Sequence, residues 1–368
     1  MSRVSLLPAV NAAVVGGRLP EVVSSREVEQ AFRFEVAELL LGMAEAQGST
    51  FSSDDLLQLT ALAMRSENRR KHAEAAIIKV SEIAESTGCS FAVEKGAANA
   101  ALLYKHSSHR PYNDVDLVVG HEGSNGLESF LTALGIHEES ARSLVSLSER
   151  GTPIHEVAGR SGYADLDIHF NPFGMIVPAR DQAMLAVELR NKISIGGWEV
   201  PVPSPELSLL IAAINIVRKG GGALWLVADA SRLISGKAGP LDWDRLIEIA
   251  SAEGLLPHLQ QVLTMLALEL ELDVHEHLKS SSSAWWAPVL GEGQATKRFL
   301  RRGTFSVLHR QPVELAATAR ALRRWYLPSA AERTARSATG SASVSDFASR
   351  VPVALKNFYL ASKPDQDA

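Results

Sequence analysis

At 368 residues, 46% of them hydrophobic and 21% charged, the chain is a folded protein with room for two or three ordinary domains, not a tail or a disordered segment. Its formal net charge of -5 excludes a chain-wide attraction to nucleic acid or anionic membrane, so any such partner must be met by a local patch. The single cysteine, Cys89, excludes an intrachain disulfide and a cysteine-based zinc site, and points to a reducing, cytoplasmic setting.

The opening residues show no clear period, and Pro8 and Asn11 break them too early for a signal peptide. "EVEQAFRFEVAELLLGMAEAQ" then carries apolar residues at helical spacing, and "DDLLQLTALAMRSENRRKHAEAAIIKVSEIAESTG" does so for longer, stopping at Gly88. Its charged middle, "RSENRRKH", reads as a solvated face. "CSFAVEKG" predicts a short strand, "AANAALLYKHS" a brief helix and "DVDLVVG" a second strand, with Asp114 at its mouth.

A helix follows from Leu127 to His137, while Glu149 to Arg160 has only a weak pattern. "GYADLDIHFNPFG" alternates, with Asp165, Asp167 and His169 on one side and Leu166, Ile168 and Phe170 on the other, as in a strand. After the extended "ISIGGWEVPV", an apolar helix starts near Ser204, and "ALWLVADASRLISG", "LDWDRLIEIASAEG" and "LPHLQQVLTMLALELEL" continue in helices. No apolar run reaches the roughly 18 residues of a membrane span. The pattern divides the chain into an N-terminal helical region (1–85), a core of strands and helices (86–204), a helical domain (205–280) and a basic C-terminal helical extension (281–368). The expected fold class is α+β, a small mixed sheet carrying three acids and flanked by helices.

Asp114 and Asp116, two apart, project to the same face of a strand, and their repulsion asks for a cation. Mg²⁺ suits one or two carboxylates plus phosphate oxygens, and a third carboxylate on a neighbouring strand would let two ions share the site. Lys95 and Gly96 stand where a strand hands over to a helix, a place suited to phosphate. Arg110, four residues before Asp114, either holds a phosphate or braces the carboxylates.

"KGAANAALLY", "RPYNDVDLVV" and "LDIHF" together resemble the uncharacterised nucleotidyltransferase family, of the DNA-polymerase-beta-like superfold, and the likeness spans about residues 75 to 275. The resemblance implies that Asp114, Asp116 and Asp167 are catalytic acids holding Mg²⁺, two ions by expectation. It implies that Gly96 and Lys95 line the phosphates of an NTP such as ATP. The expected reaction moves an NMP onto a hydroxyl of a small molecule, a peptide or protein, or RNA; a non-catalytic nucleotide- or partner-binding module is the alternative.

His169 follows the third acid in this pattern, and Asp229 matches a recurring acid of unassigned role. The chain departs from the pattern at Ala97, where a serine or glycine is common, at Glu94, which pairs readily with Lys95, and at Asn215, where relatives carry histidine. Other readings stay open: Asp165 shares the face of Asp167, and His169 is a packed or hydrogen-bonded histidine, a catalytic base, or a group supporting the metal or substrate. "HEH" at 275–277 has no further zinc-ligand pattern, and the arginine-rich stretch 297–336 is a solvated face or an RNA grip.

Overall fold

The computed structural model describes residues 6–274, apart from 105, 107–108, 113, 120–123, 150–155, 174–181, 190, 219–223 and 271. "HEH", the serine-rich segment after it and the basic stretch 297–336 lie outside the described residues. Within the opening stretch that shows no period, Pro8–Val15 form helix α1, which buries Ala9, Val10, Ala13 and Val14. An apolar helix covered on nearly every side has no polar face to alternate with, so the sequence shows no period there.

The single helix expected from Glu27 to Gln47 is two, α2 (Ser25–Arg33) and α3 (Ala37–Gln47). Between them Glu35 takes φ +61°, and the Val36 N–H donates back to the Ala31 carbonyl at 2.9 Å, a Schellman-type stop. Both helices bury residues in one core, so the apolar spacing runs on across the break. The long helix α4 (Ser53–Thr87) forms as expected, capped by Ser52 and ended by Gly88 at φ +68°.

Strand β1 (Phe91–Glu94) leads into helix α5 (Lys95–Leu103), then strand β2 (Val115–Val119). Helices α6 (Ser124–Ala133) and α7 (Glu138–Glu149) follow, then strands β3 (Glu156–Arg160) and β4 (Asp165–His169). The sheet order is β1-β2-β4-β3, with β2 and β4 parallel and both outer pairs antiparallel. This is the mixed sheet that was expected. Edge strand β3 falls in the weakly patterned stretch because Glu156, Gly159 and Arg160 leave it no continuous apolar run.

Helix α8 (Gln182–Glu188) precedes a hairpin of β5 (Asn191–Ile195) and β6 (Trp198–Val202), turned at Gly196 and Gly197, both at positive φ. Helices α9 (Pro205–Arg218), α10 (Leu224–Ile234), α11 (Trp243–Ala252) and α12 (Leu256–Leu270) complete the described chain. The first three helices and the last four share one apolar core, joined by Leu59 of α4. A second core lies against one face of the sheet, where Ala76, Ile77 and Val80 of α4 and Phe130 of α6 meet Val93, Leu117, Leu166 and Ile168. Among the described residues no helix is long and apolar enough to cross a membrane.

Cys89, between α4 and β1, packs against the second core, and burial pushes its thiol up to about 12. Little thiolate then exists near pH 8, where the thiolate is the reactive form. Native protein is expected to alkylate slowly with iodoacetamide at pH 8 and rapidly in denaturant, as mass spectrometry would read; equal rates would contradict this packing.

Candidate active site

Side chains alternate along a strand, so the face of the sheet opposite the second core is set by parity. Val115, Leu117 and Val119 of β2 face that core, which turns Asp116 the other way. Leu166 and Ile168 do the same for Asp167 and His169 on β4, and Val93 does it for Glu94 on β1. Register then aligns them: Glu94 pairs with Asp116 and Asp116 with Asp167, so three carboxylates form one row across three strands. Neighbouring strands lie about 4.8 Å apart, close enough for each acid to feel the next.

The His169 ring, one pleat further on, reaches back to the row, with Nε2 3.0 Å from Asp116 Oδ1. Ligand atoms of Glu94, Asp116 and His169 all lie within 4.8 Å of one another. Asp114 is half-buried in the bend just before β2, Asp167 is half-buried, and Asp165 is exposed at the start of β4. The sheet thus brings Asp116 and Asp167 side by side, with Asp114 two residues ahead of Asp116.

Lys95 enters the row from the turn into α5. Its ammonium donates to Asp116 Oδ1 at 2.7 Å, lies 2.9 Å from His169 Nε2 and 3.0 Å from Glu94 Oε1. Burial works to lower the Lys95 ammonium, but the Glu94 and Asp116 charges outweigh it and raise it, so the group stays charged. Burial likewise works to raise Asp116, yet Lys95 and the His169 hydrogen bond hold that carboxyl well below the usual range. Glu94, fully buried, goes the other way: loss of water pushes its carboxyl up despite Lys95 and His169 nearby. The sequence showed Glu94 as a partner for Lys95; its place in the acid row needed the strand register.

Gly96 and Arg110 are placed by the loop ahead of β2. A Cβ on Gly96 would lie 2.6 Å from the Cβ of Tyr112, so the glycine lets this loop close onto the head of α5. Gly96→Ala is expected to destabilise by about 1 to 3 kcal/mol, the cost of overpacking a tight contact, measured by urea unfolding. Arg110 is buried and donates to both carboxylate oxygens of Asp229 on α10, with Nη2 to Oδ2 at 2.9 Å. Its Nη1 donates to the Pro111 carbonyl, and its guanidinium sits 4.0 Å over the Trp225 ring. Asn99, in the middle of α5, and Tyr104, just past its end, also donate to Asp229, at 3.0 and 2.6 Å. Asn215 in α9 turns inward and donates to the Ile211 carbonyl.

A small mixed sheet with carboxylates aligned on its central strands, beside a lysine-glycine turn into a helix, defines the nucleotidyltransferase class. The chain belongs to the family described as uncharacterised nucleotidyltransferases, whose pattern matches residues 27–271, and it is an enzyme of phosphorus-group transfer. No curated protein and no solved structure matched the chain.

Proposed function

We propose that the protein is a Mg²⁺-dependent nucleotidyltransferase that joins the α-phosphoryl group of an NTP to an acceptor hydroxyl and releases pyrophosphate. The observation that carries this reading is the register of Asp116 with Asp167 on adjacent parallel strands, with Asp114 just ahead. The donor set fits a hard cation: carboxylates face one side of the sheet, and the Glu94 carboxylate is wholly buried beside Asp116. Asp114, Asp116 and Asp167 would hold the ion, or the two ions that the resemblance implies. When bound, Mg²⁺ neutralises phosphate charge and makes an acceptor hydroxyl easier to deprotonate.

The chain's own residues supply position and charge. The N–H groups at the head of α5 and the Lys95 ammonium favour the anionic triphosphate over this face. Asp167 accepts the acceptor's proton as its oxygen bonds to the α-phosphorus and the bond to the β-phosphate oxygen breaks. Arg110 acts as the brace, tying the loop that leads to Asp114 onto α10 through Asp229. Such reactions depend mainly on alignment and electrostatics.

The test is isothermal titration of each NTP as its α,β-methylene analogue, with and without Mg²⁺, on wild type and on Asp114→Ala/Asp116→Ala. Metal-dependent binding that the double variant loses supports the reading. Binding indifferent to Mg²⁺ and to both acids would favour a non-catalytic nucleotide-binding module.

A further inference from the structure

We propose that the Lys95 ammonium is a built-in cation that fills the acid row while no metal is bound, and that a divalent ion binds by displacing it from Asp116. The proposal rests on the metal-dependent reading above and adds a competition within the site. An ammonium has three N–H donors, and two carboxylate oxygens, on Glu94 and Asp116, lie within 3.0 Å of Nζ, with the His169 ring beside them. Glu94, Asp116 and His169 are all buried, and Glu94 has lost all contact with water. A carboxylate so placed is tolerable only beside a positive charge, which Lys95 supplies.

The backbone is bent to allow this. Adjacent residues of a strand point to opposite faces, so Glu94 and Lys95 would diverge if β1 simply continued. Lys95 instead takes φ +53°, a left-handed conformation unfavourable for a residue with a Cβ, and its ammonium comes back to the side chain of its own neighbour. An ion taking Asp116 Oδ1 would enter the position the ammonium occupies and would be repelled by it, so both cannot hold that oxygen at once. Lys95 displaced in this way is freed beside the head of α5, where an anionic phosphate is its natural new partner. Metal and nucleotide would thus assist each other's binding, because each favours the same displaced position of one side chain.

The test is equilibrium binding of Mn²⁺ without nucleotide, read from the spin-resonance signal of the free ion. Four proteins are compared: wild type, Lys95→Met, Glu94→Gln/Lys95→Met and Asp116→Asn. The double variant removes one negative and one positive charge, keeping the local charge unchanged and leaving no unpaired buried carboxylate should Lys95→Met alone fold poorly. The expected result is Mn²⁺ binding tighter by at least about tenfold in Lys95→Met than in wild type, as removal of one competing unit charge implies at a partly screened site, with binding still tighter than wild type in the double variant, where no ammonium occupies Asp116 Oδ1, and lost in Asp116→Asn. Equal or weaker binding in the double variant, alongside clear Asp116-dependent binding in wild type, overturns this inference and leaves the proposed function standing. No Mn²⁺ binding in any of the proteins, with or without nucleotide, overturns both.

Discussion

Asp229→Ala is expected to lower stability by about 3 to 5 kcal/mol, the usual cost of breaking a buried ion pair from one side. Asp229 is wholly buried, and its carboxylate takes donors from Asn99, Tyr104 and Arg110. Removing it leaves the guanidinium, only 3% exposed, with no anion to meet, and strips Tyr104 of its acceptor. Urea unfolding checks the size of the loss. Arg110→Met/Asp229→Leu is expected to recover most of it, since apolar groups of similar volume replace a buried pair at little cost. A double variant as unstable as Asp229→Ala alone would show that packing, not the unpaired charge, sets the loss. Because this pair ties α10 to the loop ahead of Asp114, nucleotide affinity should fall with it.

Asp116→Asn is expected to cut turnover by about a hundredfold to a thousandfold or more, the scale of losing one preorganised electrostatic group at a reacting centre. The measure is pyrophosphate release from NTP, with water or a supplied alcohol as acceptor. Near-normal turnover would remove Asp116 from the chemistry. Stability should also respond to pH. Lys95 and His169 depress the Asp116 carboxyl against the effect of burial, so its ionised form stabilises the fold above the normal aspartate range, and that contribution fades as pH falls. Wild type should therefore exceed Asp116→Asn in stability near pH 7, with the gap closing below about pH 4.

The long α4, the strand at Asp116 and the alternating strand at Asp167 were legible because each keeps one period against one face. The α1 helix was not, since its surroundings are apolar on nearly every side, and β3 was not, since an edge strand needs little apolar content. The break at Glu35 was hidden because α2 and α3 serve the same core, so the hydrophobic spacing carries no trace of the turn.

For the site, residue type and local spacing determined which groups stand on or beside the strands: Asp116 with Asp114 just ahead of its strand, Asp167 with His169, and the Lys95-Gly96 pair at a strand-to-helix turn. Those are properties of neighbours in the chain, fixed by the two-residue repeat of a strand. Which strands lie together, and in what register, is a property of residues far apart, and only the tertiary structure decided it. The pairing of β1 with β2, and of β2 with β4, places Glu94 beside Asp116 and Asp116 beside Asp167. The closure of the loop onto α10 turns Arg110 to Asp229, 119 residues away. A buried charge selects its partner by position in space, and sequence spacing carries no information about partners brought together by folding.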